Sequence, residues 1–323
     1  MHTQQGSDGG GREFHRVADE LRTRMADGTY PLRSYLPSQR DLAEEFGVSR
    51  DTVQRVLREL AGEGWIESRQ GSGSRVLKNQ RIQSSTARAI RMRQRVTLGP
   101  LLSEAFEAPE VTLDVFTLTS ETLDAHIRLQ VERIRSGFIA PQRIGLRMIL
   151  PAPDLVMPYP RVKDDPEDRR LSDRLHDITR RHTDSLRGLL RDLQTEGLVP
   201  SVEVEIRRSR LAPAHKLYVL NGVEVLLGPY EVIERRFELD SGEEVTALDV
   251  LGVGATLTHH VKDADPNSSG TVSVESWRSW FESVWTHLAE APPEPALAST
   301  PTRPGAEEWT NHPLRPPRRR SGR

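Results

Sequence analysis

Between positions 38 and 55 the chain sets out Ser38, Gln39 and Arg40, then Ser49, Arg50, Asp51, Thr52, Gln54 and Arg55. Gly71, Ser72 and Gly73 follow a short way on. These are the groups that read nucleic acid. An Arg pairs bidentately with guanine O6 and N7, a Gln with adenine N6 and N7, and Ser or Thr hydroxyls bond phosphate. Glycines let a backbone come close to a groove or a phosphate. Arg58, Arg69 and Arg75 add positive charge nearby. The competing reading of each charged residue is an ordinary solvated surface.

Two other clusters invite a chemical reading. One is His215-Lys216: a distant resemblance of this stretch to the phospholipase-D superfamily implies a His nucleophile and, two positions on, a Lys that holds phosphate charge, where Leu217 stands here. The competing reading makes them ordinary residues at the start of a strand. His259-His260, with Asp263 and Asp265, offers metal-binding types. Neighbouring side chains on a strand point to opposite faces and rarely share a metal, so these two are expected in a solvated loop. No Gly-rich phosphate loop and no Ser-His-Asp arrangement is evident. No catalytic residue, cofactor or metal is assigned.

The elements that must hold the first cluster can be read from caps and spacing. Ser38 precedes the apolar positions Leu42, Ala43 and Phe46, which recur at helical intervals. Gly47 supplies a left-handed stop. Ser49 caps a second helix, whose buried face is Val53, Val56, Leu57 and Leu60. This is a helix-turn-helix, in which the second helix enters the major groove by its N-terminal end. Residues 12–28 read as a preceding helix, with Phe14, Val17, Leu21 and Met25 on one face. Residues 65–69 and 74–77 read as two strands about the turn at Gln70–Gly73. Three helices and a hairpin make a winged helix.

The chain has 323 residues and no cysteine. Disulfides, thiolate zinc sites and cysteine nucleophiles are thereby excluded, and a cytoplasmic location is expected. The first eleven residues carry no apolar core, so no secretory signal is expected there. No apolar run is long enough for a membrane span, and no membrane partner is expected. The net charge of −2 is unevenly spread. Arg81, Arg88, Arg91, Arg93 and Arg95 stand without an intervening acid, and Arg318-Arg319-Arg320 lies near the end.

Residues 14–77 resemble the DNA-binding domain of GntR-family bacterial transcription regulators. The resemblance rests on Leu36-Pro37-Ser38, Arg40, Leu42-Ala43, Phe46-Gly47-Val48-Ser49-Arg50, Thr52-Val53, Leu57, Leu60, Glu63-Gly64 and Gly71-x-Gly73-Ser74-x-Val76. It implies a homodimer on double-stranded operator DNA with an inverted repeat, and a C-terminal effector domain. It gives DNA-contact roles to Arg40, Ser49 and Arg50, a phosphate contact to Thr52, and the wing tip to Gly71 and Gly73. Gln54 stands where the family usually carries a groove-reading Arg. Arg75 stands where it often carries a wing aromatic.

Beyond residue 110 the pattern changes to α/β. Strands are expected at 111–118, 143–150 and 202–207, with helices at 121–137 and 168–197 between them, so the first strands should pair in parallel. Residues 216–227 form a hairpin about Asn221-Gly222, the favoured two-residue turn. Strands at 231–239 and 245–253 and a helix at 274–289 follow. A ligand cleft is expected at the C-terminal edge of the sheet, between the 156–166 loop and the helix start near 120. The stretch around His215 distantly resembles the phospholipase-D superfamily, in which a Lys stands two after the His; here Leu217 stands there. Some archaeal sugar-sensing regulators join a winged helix to a degenerate domain of that kind.

The expected fold class is therefore α+β: an N-terminal winged helix (12–78), a basic linker (79–110), an α/β effector and dimerisation domain with a mixed sheet (111–290), and a disordered Pro/Arg-rich tail (291–323). The expected function is transcription regulation through a small-molecule effector of unknown identity, and not catalysis. Two alternatives stand beside it: a DNA-tethered phosphodiesterase-like enzyme, and a regulator whose C-terminal domain binds a protein partner.

Overall fold

In the computed structural model, the described residues are 7–26, 29–31, 33–62, 65–69, 73–77, 82–84, 98–239, 242–250, 252 and 256–291. The helix α1 (Ser7–Ala26), α2 (Gln39–Phe46) and α3 (Arg50–Gly62) form the N-terminal bundle. Val17, Leu21 and Met25 of α1 are fully buried against Leu42, Val53, Val56 and Leu60. The caps are those read from the sequence. Ser38 accepts from the Asp41 N–H at 3.3 Å. Gly47 adopts φ 66°, and its N–H closes the helix onto the Ala43 and Glu44 carbonyls. Ser49 Oγ accepts from the Thr52 N–H at 3.0 Å. Strands β1 (Ile66–Arg69) and β2 (Gly73–Val76) pair antiparallel. Residues 33–36 add a third line to this wing, with Leu36 N–H donating to Ser74 O and Val76 N–H to Ser34 O.

The C-terminal region is built on an eight-stranded mixed sheet in the order β13-β7-β5-β4-β8-β9-β12-β3. Its centre is β4 (Glu110–Phe116), β5 (Arg143–Pro151) and β7 (Ser201–Ser209), mutually parallel as expected. Helix α5 (Glu121–Arg135) crosses from β4 to β5, and α6 (Arg170–Thr195) from β5 to β7. The hairpin β8 (His215–Leu220) and β9 (Glu224–Pro229) turns at Asn221, φ 50°, and Gly222, φ 66°. The Asn221 amide also receives the Thr112 N–H and donates to Ala105 O, both at 2.9 Å.

The sheet is covered on both faces. One face packs Val111, Leu113, Ile144 and Leu146 against Leu123, Ile127, Leu186 and Leu190 of α5 and α6. The other packs Phe116, Ile149 and Val219 against Phe281 and Trp285 of α7 (Ser269–His287). Near the start of α7, a Cβ on Gly270 would lie 2.3 Å from the Val261 carbonyl oxygen. In a second, three-stranded sheet, β10 (Val232–Glu238) pairs with β11 (Glu244–Val250), and β11 pairs with the short β6 (Arg161–Val162).

Two sequence expectations are corrected. The stretch 79–110 is not solely a connector. Within it β3 (Ile82–Ser84) pairs in parallel with β12 (Leu257–Val261), and α4 (Leu98–Ala105) lies in the core. Leu98, Leu102 and Phe106 recur at helical spacing and are fully buried. Their apolar stripe was hidden by the Arg-rich run before it; Arg81, Arg88, Arg91, Arg93 and Arg95 lie outside the described residues. His259 and His260 are not in a loop but on β12. His259 is buried and its Nε2 meets Glu224 Oε2 at 2.7 Å. The two-residue strand β13 (Ala289–Glu290) completes the sheet, and residues 292–323, including most of the expected tail, lie outside the described residues.

Candidate DNA-binding surface and effector cleft

The polar residues singled out by type and spacing lie at the start of α2, on the first half of α3 and in the turn before it. Ser38, Gln39, Arg40, Ser49, Arg50, Asp51, Gln54 and Arg55 are exposed. The Arg40 guanidinium lies 3.4 Å from Asp41, with its side chain 72% exposed. The Ser38 hydroxyl donates to Asp41 at 2.7 Å, and holds that carboxyl below its ordinary range. Arg55 lies 5.2 Å from the centroid of the Phe14 ring, so its guanidinium leans on α1. Arg58 is exposed one turn further along.

Thr52 differs from its expected role. It is buried, and its hydroxyl lies 2.9 Å from Ser49 Oγ. The side chain completes the helix cap instead of standing free for phosphate. Gly73 opens β2 with φ 82°, whereas Gly71 and Ser72 lie outside the described residues. Arg75 Nε donates to the Arg33 carbonyl at 3.2 Å and is drawn along the wing. The wing does carry an aromatic, though not at position 75. Tyr35 pairs with Arg75 across the wing and is 59% exposed. Sequence reading missed it because residue 35 joins the wing from before the helix-turn-helix.

The inner side of the winged helix faces the C-terminal region through charged groups that sequence reading did not connect. Asp19 on α1 meets Arg128 on α5 at 3.1 Å. Glu59, on the buried side of α3, receives Arg181 of α6 at 2.7 Å and lies 3.8 Å from Arg22. Burial alone would raise the Glu59 pKa; Arg181, Arg174 and Arg22 outweigh it and hold the carboxyl below its ordinary value. The Trp65 indole N–H, at the start of the wing, donates to the Glu121 carboxylate at the start of α5.

Glu121 also lines a cleft of about 730 Å³, counted with its open mouth, where the sheet's C-terminal edge had been expected to hold one. Thr117–Thr119, Glu121, Thr122 and Pro160 form one side; α6 contributes Leu171, Arg174, Leu175 and Ile178. Lys216 of β8, Arg235 of β10 and Asp249 of β11 supply further charge. Arg235 and Asp249 pair at 2.5 Å. The Tyr230 hydroxyl accepts from the Leu118 N–H at 2.9 Å and lies 3.0 Å from Thr117 Oγ1. Burial raises the Tyr230 phenol to about 12, against the opposing hydrogen bonds from Thr117 and Leu118.

The two histidine motifs do not assemble reaction centres here. His215 packs among Phe116, Trp277 and Trp280, with ring centroids 5.0–5.3 Å apart, and burial lowers its pKa. Lys216 reaches the other way, to the Gly252 carbonyl and over the Tyr230 ring. Among the described residues, no three His, Asp or Glu side chains gather at metal-binding distances.

With this geometry in place, residues 14–76 match the family described as bacterial regulatory proteins, gntR family. Residues 14–76 are a GntR-family helix-turn-helix domain. The Exu regulon transcriptional regulator of Escherichia coli (strain K12) is 38% identical over 69 residues, 21% of this chain and 27% of that protein. The mannosyl-D-glycerate transport/metabolism system repressor of the same strain is 41% identical over 69 residues, 21% of this chain and 28% of its own. An uncharacterized HTH-type transcriptional regulator of Rhizobium meliloti (strain 1021) is 33% identical over 81 residues, 25% and 33% of the two chains. The match thus spans a third or less of these relatives' own length.

Among solved structures, a complex of mutant ORR3 with the N-terminal domain of AraR overlaps 20% of this chain and 91% of that one, at 28% identity and a TM-score of 0.20. TrmBL2, an archaeal chromatin protein, overlaps 86% of this chain and 94% of that one, at 12% identity and a TM-score of 0.25. At such scores the overlaps fix neither fold nor mode of action. Among the described residues, no helix is long and apolar enough to cross a membrane.

Proposed function

We propose that the chain is a sequence-specific DNA-binding transcription regulator. The observation that carries this reading is the exposed polar set at the N-terminal end of α3, on a domain of the GntR family. Arg50, Asp51 and Gln54 face the base edges, while Ser38, Gln39, Arg40, Ser49 and the wing contact the phosphate backbone. Arg55, resting on Phe14, is a phosphate contact. The active form is a cytoplasmic homodimer on an inverted repeat, as the family resemblance implies, and the C-terminal cleft receives a small-molecule effector. The chain is not an enzyme in this reading: His215 and Lys216 lie on opposite faces of β8.

Selection from random double-stranded DNA tests the reading. The expected result is an inverted-repeat consensus bound by a dimer, with affinity that falls steeply with salt. Binding without sequence preference would overturn it.

A further inference from the structure

The cleft beside α5 holds an uneven set of charges. Among the described residues that line it, Arg174, Lys216 and Arg235 face Glu121 and Asp249. Asp249 is taken by Arg235, and Glu121 is bonded by Trp65. Among the described residues, Arg174 Nη2 has no hydrogen-bond partner, and it is shut off from bulk solvent. A guanidinium N–H buried without an acceptor is costly, and a guanidinium can only donate, so the group that satisfies it must be an acceptor. The wall beside it is the N-terminal end of α5, where Thr119 and Thr122 stand and where backbone N–H groups favour negative charge. Leu118, Leu175, Ile178 and Phe237 make the remaining surface largely apolar.

We infer that this cleft binds a small molecule with one anionic head, a carboxylate or a phosphomonoester, on an apolar body. The head engages the Arg174 guanidinium, whose side chain lines the cleft, and displaces the Gly252 carbonyl from Lys216, and its arrival is passed to the winged helix through Glu121 and Trp65. Glu121 is the connecting group because it has two neighbours of different kinds. The residue lines the cleft, and its Oε1 receives the Trp65 indole N–H. An anion in the cleft places like charge beside the Glu121 carboxylate and so weakens its hold in that position. Arg174 acts in the same sense. It contributes to the positive potential that keeps Glu59 of α3 ionised, and an anion that engages Arg174 offsets that potential. The Trp65–Glu121 and Glu59–Arg181 ties between the winged helix and the C-terminal region therefore both respond to one ligand. By linkage, operator DNA must change the ligand's affinity by the same factor.

The inference deepens the proposed function and rests on it only for the DNA readout. Its test is calorimetric titration of the full chain with phenyl phosphate and with benzoate, with phenol as the neutral control. Saturable binding of at least one anion, and none of phenol, is expected; which anion binds tells phosphate from carboxylate. Arg174→Gln should weaken that binding by roughly tenfold or more, the loss expected for a charged hydrogen bond. Lys216→Met should do likewise, and serves as the second variant should Arg174→Gln fail to fold. Trp65→Phe should leave Arg174-dependent anion binding in place and reduce the anion's effect on operator affinity, the part carried through Glu59 remaining. No saturable binding of either anion, equal binding of phenol, or undiminished binding by folded Arg174→Gln would overturn the inference. Anion binding without sequence-selective DNA binding would sink the regulator reading and leave the cleft assignment standing; DNA binding with an empty cleft would do the reverse.

Discussion

The outer end of α3 and the cleft beside α5 are both rich in charge, and they handle it oppositely. Arg40, Arg50, Gln54 and Arg55 are exposed to solvent. Arg40 lies beside its neighbour Asp41, and Arg55 rests on the Phe14 ring. In the cleft, Lys216 and Asp249 are buried, Lys216 bonded to the Gly252 carbonyl and Asp249 paired with Arg235 on the neighbouring strand. The first surface is ready to trade water for phosphate at little structural cost. The second changes its internal bonds whenever a new charge enters. A surface of the first kind suits reading a fixed polymer, and a pocket of the second kind suits reporting occupancy.

The sharpest way to break this contrast is to ask where the C-terminal region begins. Phe106 follows α4 and is fully buried in the main core. Phe106→Ala should cost about 3–5 kcal/mol in urea unfolding. A loss near zero would return this stretch to the role of a connector.

A second test uses acid. His126 on α5 is buried, and desolvation pushes its pKa down to about 4 from 6.5. The unfolded chain therefore takes up a proton below pH 6.5 that the folded chain refuses until near pH 4. Stability from this group is complete above that window and falls as pH drops through it, by up to about 1.4 kcal/mol per pH unit. His126→Leu should flatten the loss seen between pH 7 and pH 5 in urea unfolding. An unchanged slope would assign the acid sensitivity elsewhere.

On the DNA side, Arg50→Ala should remove about 1–3 kcal/mol of discrimination at one base position if its contact is bidentate. Competition binding with single-base operator variants reads this directly. Equal losses on every sequence would make Arg50 a phosphate contact. The smallest effect is expected at the cap. Ser38→Ala removes the acceptor for the Asp41 N–H and should cost about 1 kcal/mol in thermal or urea unfolding, with the base preference unchanged.

The same contrast explains what could be read in the sequence. The winged helix is made of local signals. Ser38, Gly47 and Ser49 mark their helix ends within a few residues, and Val53, Val56, Leu57 and Leu60 mark a face by spacing alone. The central β-α-β-α-β order and the Asn221-Gly222 hairpin were legible for the same reason. The exceptions arose where meaning comes from distant residues. Thr52 looked like a phosphate contact until its hydroxyl was found on Ser49. His259 looked solvated because Glu224, its partner, is far away in sequence. Arg174 gave no signal at all: on α6 it is one Arg among many, and only the fold brings it into the cleft.

Gly270 carries a consequence for ancestry. The oxygen of Val261 occupies the space that any Cβ there would need, so even alanine forces the helix start away from the strand. Drift cannot pass through that position while the contact between α7 and β12 survives. A glycine just inside α7, after a strand ending in a loop with Asp263 and Asp265, is therefore a durable mark of descent. It should persist in chains that share this C-terminal architecture after their helix-turn-helix has been exchanged for another.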